Sequence, residues 1–306
     1  MNLASKVARA ASATASSSGV RLVYSSHPHW PFSSSRPPSI DIAVLDSSFN
    51  PPSRAHLALL LSEPILAAPK RAYDGHLLLF STQNADKGAG KPGDASLAQR
   101  VEMMTLMAKD VERIQTARGN IANVAVGLVD KPLIFAKSTL TRDLLQHNTP
   151  GAQTKEQVRL HWVVGFDTLY RVFQLKYYAS LEDFQQQCIQ FFQQERTTLV
   201  CARRDPASYP QLGTASGAEE SVSDAEGRAR RQEDELLASD NVAPWVEQGS
   251  VGMLDIDPDQ AQLSSTKIRS LLKDESIDKA AKKQKLGQLV PPSLVEYLVE
   301  SGIYRD

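Results

Sequence analysis

Two short stretches hold the residues best suited to grip an anion. The first is LDSSFNPPSRAH, Leu45–His56. An apolar run ends in two serines, which keep the turn small enough for backbone N–H groups to point at a ligand. Those serines are Ser47 and Ser48. Asn50 is predicted to bond its local backbone and hold the turn. Pro51 and Pro52 stiffen it, and proline is tolerated where a helix begins. Ser53 fits a cap or a first-turn hydroxyl, and His56, three residues on, shares its helix face. The segment reads in two ways: a capped helix whose histidine is simply satisfied, or a strand–turn–helix junction where hydroxyl and imidazole converge on a phosphate. No glycine-rich P-loop occurs in the chain, so a phosphate held here is held without that motif's lysine.

The second stretch is QLSSTKIRSLL, Gln262–Leu272. Ser264, Ser265 and Thr266 bring hydroxyls to a predicted helix start, where unpaired amides already favour anions. Arg269 lies one turn in, on the face of Thr266, and its guanidinium can bind phosphate with two parallel bonds. A plain Ser/Thr cap on an amphipathic helix with a solvated arginine is the competing reading.

The elements that must carry these stretches alternate. Strand-like runs at 40–45, 76–80, 121–129, 160–165, 197–203 and 249–257 are interleaved with helical patterns at 52–62, 96–111, 138–147 and 181–194. Two further helices are predicted near the end, over 265–274 and 291–302, the second punctuated by proline at its start and Gly302 at its finish. Apolar strands alternating with helices predict an α/β fold with a mainly parallel sheet covered on both faces. Residues 1–39 form a Ser/Ala-rich tail without acidic residues, carrying Lys6, Arg9, Arg21 and Arg36, with GVRLVYSS as a candidate added strand. That composition fits either a mitochondrial presequence or a disordered tail, against a default location in cytoplasm or nucleus. Residues 40–306 form the domain. Its pattern is interrupted over about 205–244 by a segment poor in large apolar residues, predicted to be disordered or at most an exposed helix.

The 306 residues are 42% hydrophobic and 23% charged, as in soluble enzymes, and the net charge of −1 argues against a broad nucleic-acid surface. No apolar run reaches the ~20 residues of a membrane span. Cys188 and Cys201 lack metal-ligand spacing and read as buried, inert thiols. No protein metal site is expected.

Together the two stretches resemble a known family. SSFNPPSRAH resembles the nucleotidyltransferase signature G-[ST]-F-N-P-[IP]-[TH]-x-x-H, and LSSTKIR resembles its partner I-S-S-T-x-I-R. In this order on an alternating chain they resemble nicotinamide mononucleotide adenylyltransferases, and a divergent fungal branch in particular. VVGFDTL (163–169), QRVEMM (99–104), TLVCARRDP (198–206) and GQLVPPSLVEYLVESGIY (287–304) resemble further family segments. The likeness spans about seven-tenths of the chain. One departure stands out: the family's first glycine, which lets backbone approach phosphate without a Cβ, is Ser47 here, a change that is tolerated if φ is negative or else weakens ATP binding.

The resemblance implies a Rossmann-like nucleotidyltransferase fold. It also implies adenylyl transfer from ATP to nicotinamide mononucleotide, giving NAD and pyrophosphate, with Mg²⁺ held mostly through phosphates and water. Backbone at Ser48 and Phe49 would approach phosphate, His56 would donate to an α- or β-phosphate oxygen, and Ser265, Thr266 and Arg269 would clamp the far end of the triphosphate. Asn50 and Ser53 would belong to the same ATP site, Gly165 and Asp167 would meet the ribose, and Lys87 would reach phosphate from its loop. Phe135 and Thr139 match acceptor-binding positions, and equally match core and cap positions. Another phosphorylated acceptor, or a nucleotide-binding module without catalysis, is the alternative function.

Overall fold

The computed structural model describes residues 19–31, 39–66, 72–83, 93–147, 158–203 and 222–304. Seven strands form one sheet: β1 (Arg21–Ser25), β2 (Ile40–Asp46), β3 (Gly75–Ser81), β4 (Val124–Val129), β5 (Val158–Gly165), β6 (Thr198–Ala202) and β7 (Val251–Leu254). Their order is β1-β4-β3-β2-β5-β6-β7; β1 runs antiparallel to β4, and every other pairing is parallel. From β2 the chain steps outward through β3 to β4, then returns to the far side of β2 as β5. The reversal falls between β2 and β5, whose carboxyl ends are Asp46 and Gly165. Open α/β sheets form their ligand crevice at such a point.

The helices are α1 (Arg54–Leu60), α2 (Leu97–Ala117), α3 (Ile134–His147), α4 (Phe166–Val172), α5 (Leu181–Cys188), α6 (Val222–Leu237), α7 (Ala243–Glu247), α8 (Pro258–Ala261), α9 (Ser265–Lys273), α10 (Lys279–Leu289) and α11 (Pro292–Glu300). They cover both faces. Successive residues of β2 alternate between two cores, as the two-residue strand period requires. Ala43 and Leu45 meet α1, α2, α9 and α11 through Leu60, Met104, Ile268 and Leu298. Ile42 and Val44 lie in the opposite core with Ile134, Leu169 and Phe184 of α3, α4 and α5. This is the predicted α/β, Rossmann-like architecture with a mainly parallel sheet.

Several boundaries differ from the sequence pattern. Ile121 is 71% exposed, and β4 begins only at Val124, where residues become fully buried. The candidate strand in the tail is real: β1 pairs with β4, and Trp30 just beyond it is buried in the second core. The predicted disordered insertion is corrected for its second half. Residues 222–237 form α6, which is not an exposed helix, since Ala229, Glu233 and Leu236 are buried. The cause is a specific anchor, because Arg203 Nε at the end of β6 donates to Glu233 Oε2 at 2.7 Å. Residues 204–221 lie outside the described residues. Both cysteines are buried and unbridged, and burial pushes the Cys188 thiol up to about 12. Among the described residues no helix is long and apolar enough to cross a membrane.

Candidate active site

The turn Ser47–Ser53 leaves β2 at the reversal point and enters α1. Phe49 sits there at φ +46°, a left-handed conformation that costs a non-glycine residue roughly 1–2 kcal/mol. Complete burial of its ring in the first core holds it there. Ser47 is not among the positive-φ residues, so its backbone conformation does not require glycine. Its N–H donates to Leu79 O at 3.3 Å, tying the turn to β3.

Asn50 does not hold the turn locally, contrary to the sequence expectation. Its side chain is buried and reaches three distant partners. Nδ2 donates to Asp94 Oδ1 (2.7 Å), while Oδ1 accepts from Ala95 N–H (3.1 Å) and from the Tyr304 hydroxyl (2.7 Å). Burial pushes the Tyr304 phenol above its ordinary range, with the nearby Arg100 and Arg269 charges pulling against it, so the phenol remains a donor. Arg100 adds a second brace, donating to Ser48 O (3.1 Å), Ala95 O (2.8 Å) and Asp94 Oδ2 (3.3 Å).

The second stretch docks on the same turn. Arg269 Nη1 donates to Asn50 O at 2.6 Å and Nη2 to Thr266 Oγ1 at 3.2 Å. Ser265 Oγ donates to Pro51 O at 2.8 Å. Ser264 caps α9 by accepting from Lys267 N–H. Segments more than 200 residues apart in sequence therefore meet backbone to side chain.

His56 stands in the first turn of α1 with both ring nitrogens engaged. Ser53 N–H donates to Nδ1 at 3.0 Å, and Nε2 lies 2.9 Å from Ser47 Oγ. Ser53 takes the cap position that the sequence allowed it. It is fully buried in a reciprocal capping box, and its hydroxyl lies 2.8 Å from His56 Nδ1. Ser48 is exposed on the rim of the turn.

Across the reversal point, Gly165 is the N-cap of α4 with extended backbone, and Asp167 in the first helical turn is half exposed, 3.8 Å from Arg171. Phe135 and Thr139 come together elsewhere. They line a cavity of about 150 Å³ with Gln187, Gln190, Phe191 and Glu195, between α3 and the π-helical turn Ile189–Gln194 that extends α5. Phe135 is buried against Tyr178, Phe191 and Phe192, and Thr139 donates to Glu195 Oε1 at 2.8 Å. Phe135 thus serves the second core, and Thr139 is held at the cavity edge by Glu195 and Gln190. Lys87 lies outside the described residues.

The sequence pattern did not single out Lys137. Its ammonium, from the first turn of α3, pairs with Asp46 at the end of β2, and the two side chains are only 5% and 11% exposed. An acidic residue directly before the serines was the available signal. Among the described residues no cluster of three or more His, Cys, Asp or Glu could hold a metal ion.

No protein-family profile matches the chain. It is 37% identical over 151 residues to a Schizosaccharomyces pombe protein named "Putative nicotinamide mononucleotide adenylyltransferase". That alignment covers 49% of either protein, so the chain spans about half the length of the curated relative it matches. Two Plasmodium falciparum structures of nicotinic acid mononucleotide adenylyltransferase, one complexed with APC and one with NaAD, align at TM-score 0.47. They are 10% and 12% identical, over 87% of this chain and 97% of theirs. In sequence, then, about half of this chain is related to a fungal protein assigned to the nicotinamide mononucleotide adenylyltransferases.

Proposed function

We propose that this chain transfers the adenylyl group of ATP to a pyridine mononucleotide, with nicotinamide mononucleotide the preferred acceptor and NAD and pyrophosphate the products. The carrying observation is the junction at Asn50–Pro51, where Arg269 and Ser265 of one signature-like segment bond the backbone of the other. That junction sits at the carboxyl end of β2, beside the sheet's reversal point. The relationship to the fission-yeast protein supports the same reading.

In this reading the triphosphate lies over the Ser47–Ser53 turn. An oxygen of the acceptor's phosphate attacks the α-phosphorus of ATP. A new P–O–P bond forms as the bond to the bridging oxygen of the β-phosphate breaks, and pyrophosphate leaves with that electron pair. No covalent enzyme intermediate is needed, so the protein's work is alignment and charge neutralisation. Arg269 is already posted on the turn and presents its guanidinium to the departing end, with Ser265 and Thr266 beside it. His56 and Ser47 line the wall nearest β2. Asp167 accepts from ribose hydroxyls, and Gly165 leaves room for the sugar. Mg²⁺ would be carried mostly by the triphosphate oxygens and water. When bound it neutralises charge on the phosphate oxygens.

The test is incubation of the purified chain with ATP, Mg²⁺ and, separately, nicotinamide mononucleotide, nicotinate mononucleotide and phosphopantetheine. Pyrophosphate release and chromatography of the product are then read. Fastest formation of NAD supports the reading. Fastest product from another acceptor replaces the substrate, and ATP binding without pyrophosphate release in any mixture replaces the enzyme with a nucleotide-binding module.

A further inference from the structure

Ser47 occupies a place where the signature its segment resembles has glycine, and the structure gives its side chain a specific partner. Ser47 Oγ lies 2.9 Å from His56 Nε2. The direction of that bond follows from the other ring nitrogen. Nδ1 receives the Ser53 backbone N–H at 3.0 Å, so Nδ1 presents its lone pair and the ring hydrogen sits on Nε2. The imidazole therefore donates to the serine oxygen. A serine hydroxyl has one hydrogen and two lone pairs, so Ser47 keeps its own O–H to give to a further acceptor.

The surroundings say where that hydrogen can go. Ser53 and Phe49 are fully buried, and Asn50 is turned inward onto Asp94, Ala95 and Tyr304. Ser47 is only partly buried, at the mouth of the turn. We propose that the Ser47 hydroxyl, polarised by His56, is the side chain that meets the phosphate of the bound nucleotide, with His56 acting as a positioning residue behind it. The relay runs from Ser53 N–H through the imidazole and Ser47 Oγ–H to a phosphate oxygen, each bond polarising the next. No bond is made or broken in it. It rests on the reading of the turn as an ATP site, and differs from that reading in making the serine indispensable.

A double-mutant cycle tests it. ATP affinity is measured by isothermal titration calorimetry for wild type, Ser47→Ala, His56→Ala and the double variant, each first checked for an unchanged circular dichroism spectrum. Ser47→Ala and His56→Ala each weaken binding about 10-fold, the low end for one hydrogen bond to a charged group. The double variant falls within about twofold of the weaker single variant, because the two groups act as one unit. Ser47→Thr, which keeps the hydroxyl, stays within about threefold of wild type. Independent, multiplying losses overturn the relay, as does Ser47→Ala or Ser47→Gly binding ATP as tightly as wild type. Wild-type protein that binds ATP but releases no pyrophosphate refutes the transferase reading and leaves the binding cycle to decide the relay. Wild-type protein that binds no ATP overturns both.

Discussion

Asn50 is the joint through which two remote parts of the chain, Asp94–Ala95 and Tyr304, hold the turn after β2, and replacing it with alanine tests that arrangement directly. The side chain is 6% exposed. Truncation removes two neutral bonds, from Ala95 N–H and the Tyr304 hydroxyl, and one bond to the Asp94 carboxylate. At about 1 kcal/mol for each neutral bond and about 1.5–3 for the charged one, the loss is roughly 4 kcal/mol. For a chain of this size that lowers Tm by roughly 8–16 °C, at about 2–4 °C per kcal/mol. The assay is guanidinium unfolding followed by tryptophan fluorescence, since Trp30 and Trp162 are buried in the second core and report its exposure. Tyr304→Phe removes a single one of the three bonds and is expected to cost about 1 kcal/mol. Made in the Asn50→Ala background, it should cost clearly less, because its partner is already gone. A loss under about 1 kcal/mol for Asn50→Ala, or full additivity with Tyr304→Phe, refutes the bracing role.

Arg269→Ala is expected to lower the rate of adenylyl transfer by roughly two to three orders of magnitude, the usual loss of one preorganised donor, and His56→Ala, which releases Ser47, by about 10-fold. Less than about threefold change in both variants, measured on folded protein, removes the clamp assignment. Burial holds the His76 imidazole down to about 4, against an ordinary 6.5, so the unfolded chain binds its proton first as pH falls. Stability is therefore full above about pH 6.5 and declines by about 3 kcal/mol as pH falls to 4. His76→Leu should flatten that slope in urea melts at stepped pH, and an unchanged slope rejects the assignment. Lys137→Met strands Asp46 without its cation and should cost about 3–5 kcal/mol in unfolding free energy. Adding Asp46→Asn should recover most of it, and no recovery means the pair is not the cause.

The sequence carried the frame and the two ends of the site. Runs of strand-forming residues at 40–45, 76–80 and 160–165 separated by helical spacing were enough to infer a parallel sheet, because burial on both faces demands uninterrupted apolar strands. His56 and Arg269 were legible because their helix starts have local grammar: serine, proline, and a charged or polar residue one turn later. Bonds between distant segments were not legible. Nothing near Asn50 indicates that its partners are Ala95 and Tyr304, and asparagine in a proline turn ordinarily bonds its neighbours. The Arg100 and Tyr304 segments were visible as resemblances without roles, since their function is to brace a loop they reach only after folding. Helix α10 escaped notice because its lysine-rich sequence buries a single residue, Leu286. Helix α6 was misjudged because its apolar contact rests on few residues, Ala229 and Leu236 among them, and its arginine–glutamate tie to the end of β6 joins distant segments.

The antiparallel strand Arg21–Ser25 limits how the chain can be processed. If a protease removed a leader as far as residue 39, it would take away the strand paired along β4 and leave four registered positions, Ala125 to Leu128, with a bare row of amides and carbonyls. Such a margin invites strands from other chains. It would also uncover the hollow filled by Trp30. Any maturation compatible with this sheet must therefore cut upstream of Val20, and a mature form starting at Ile40 should be recovered as aggregate, not as monomer.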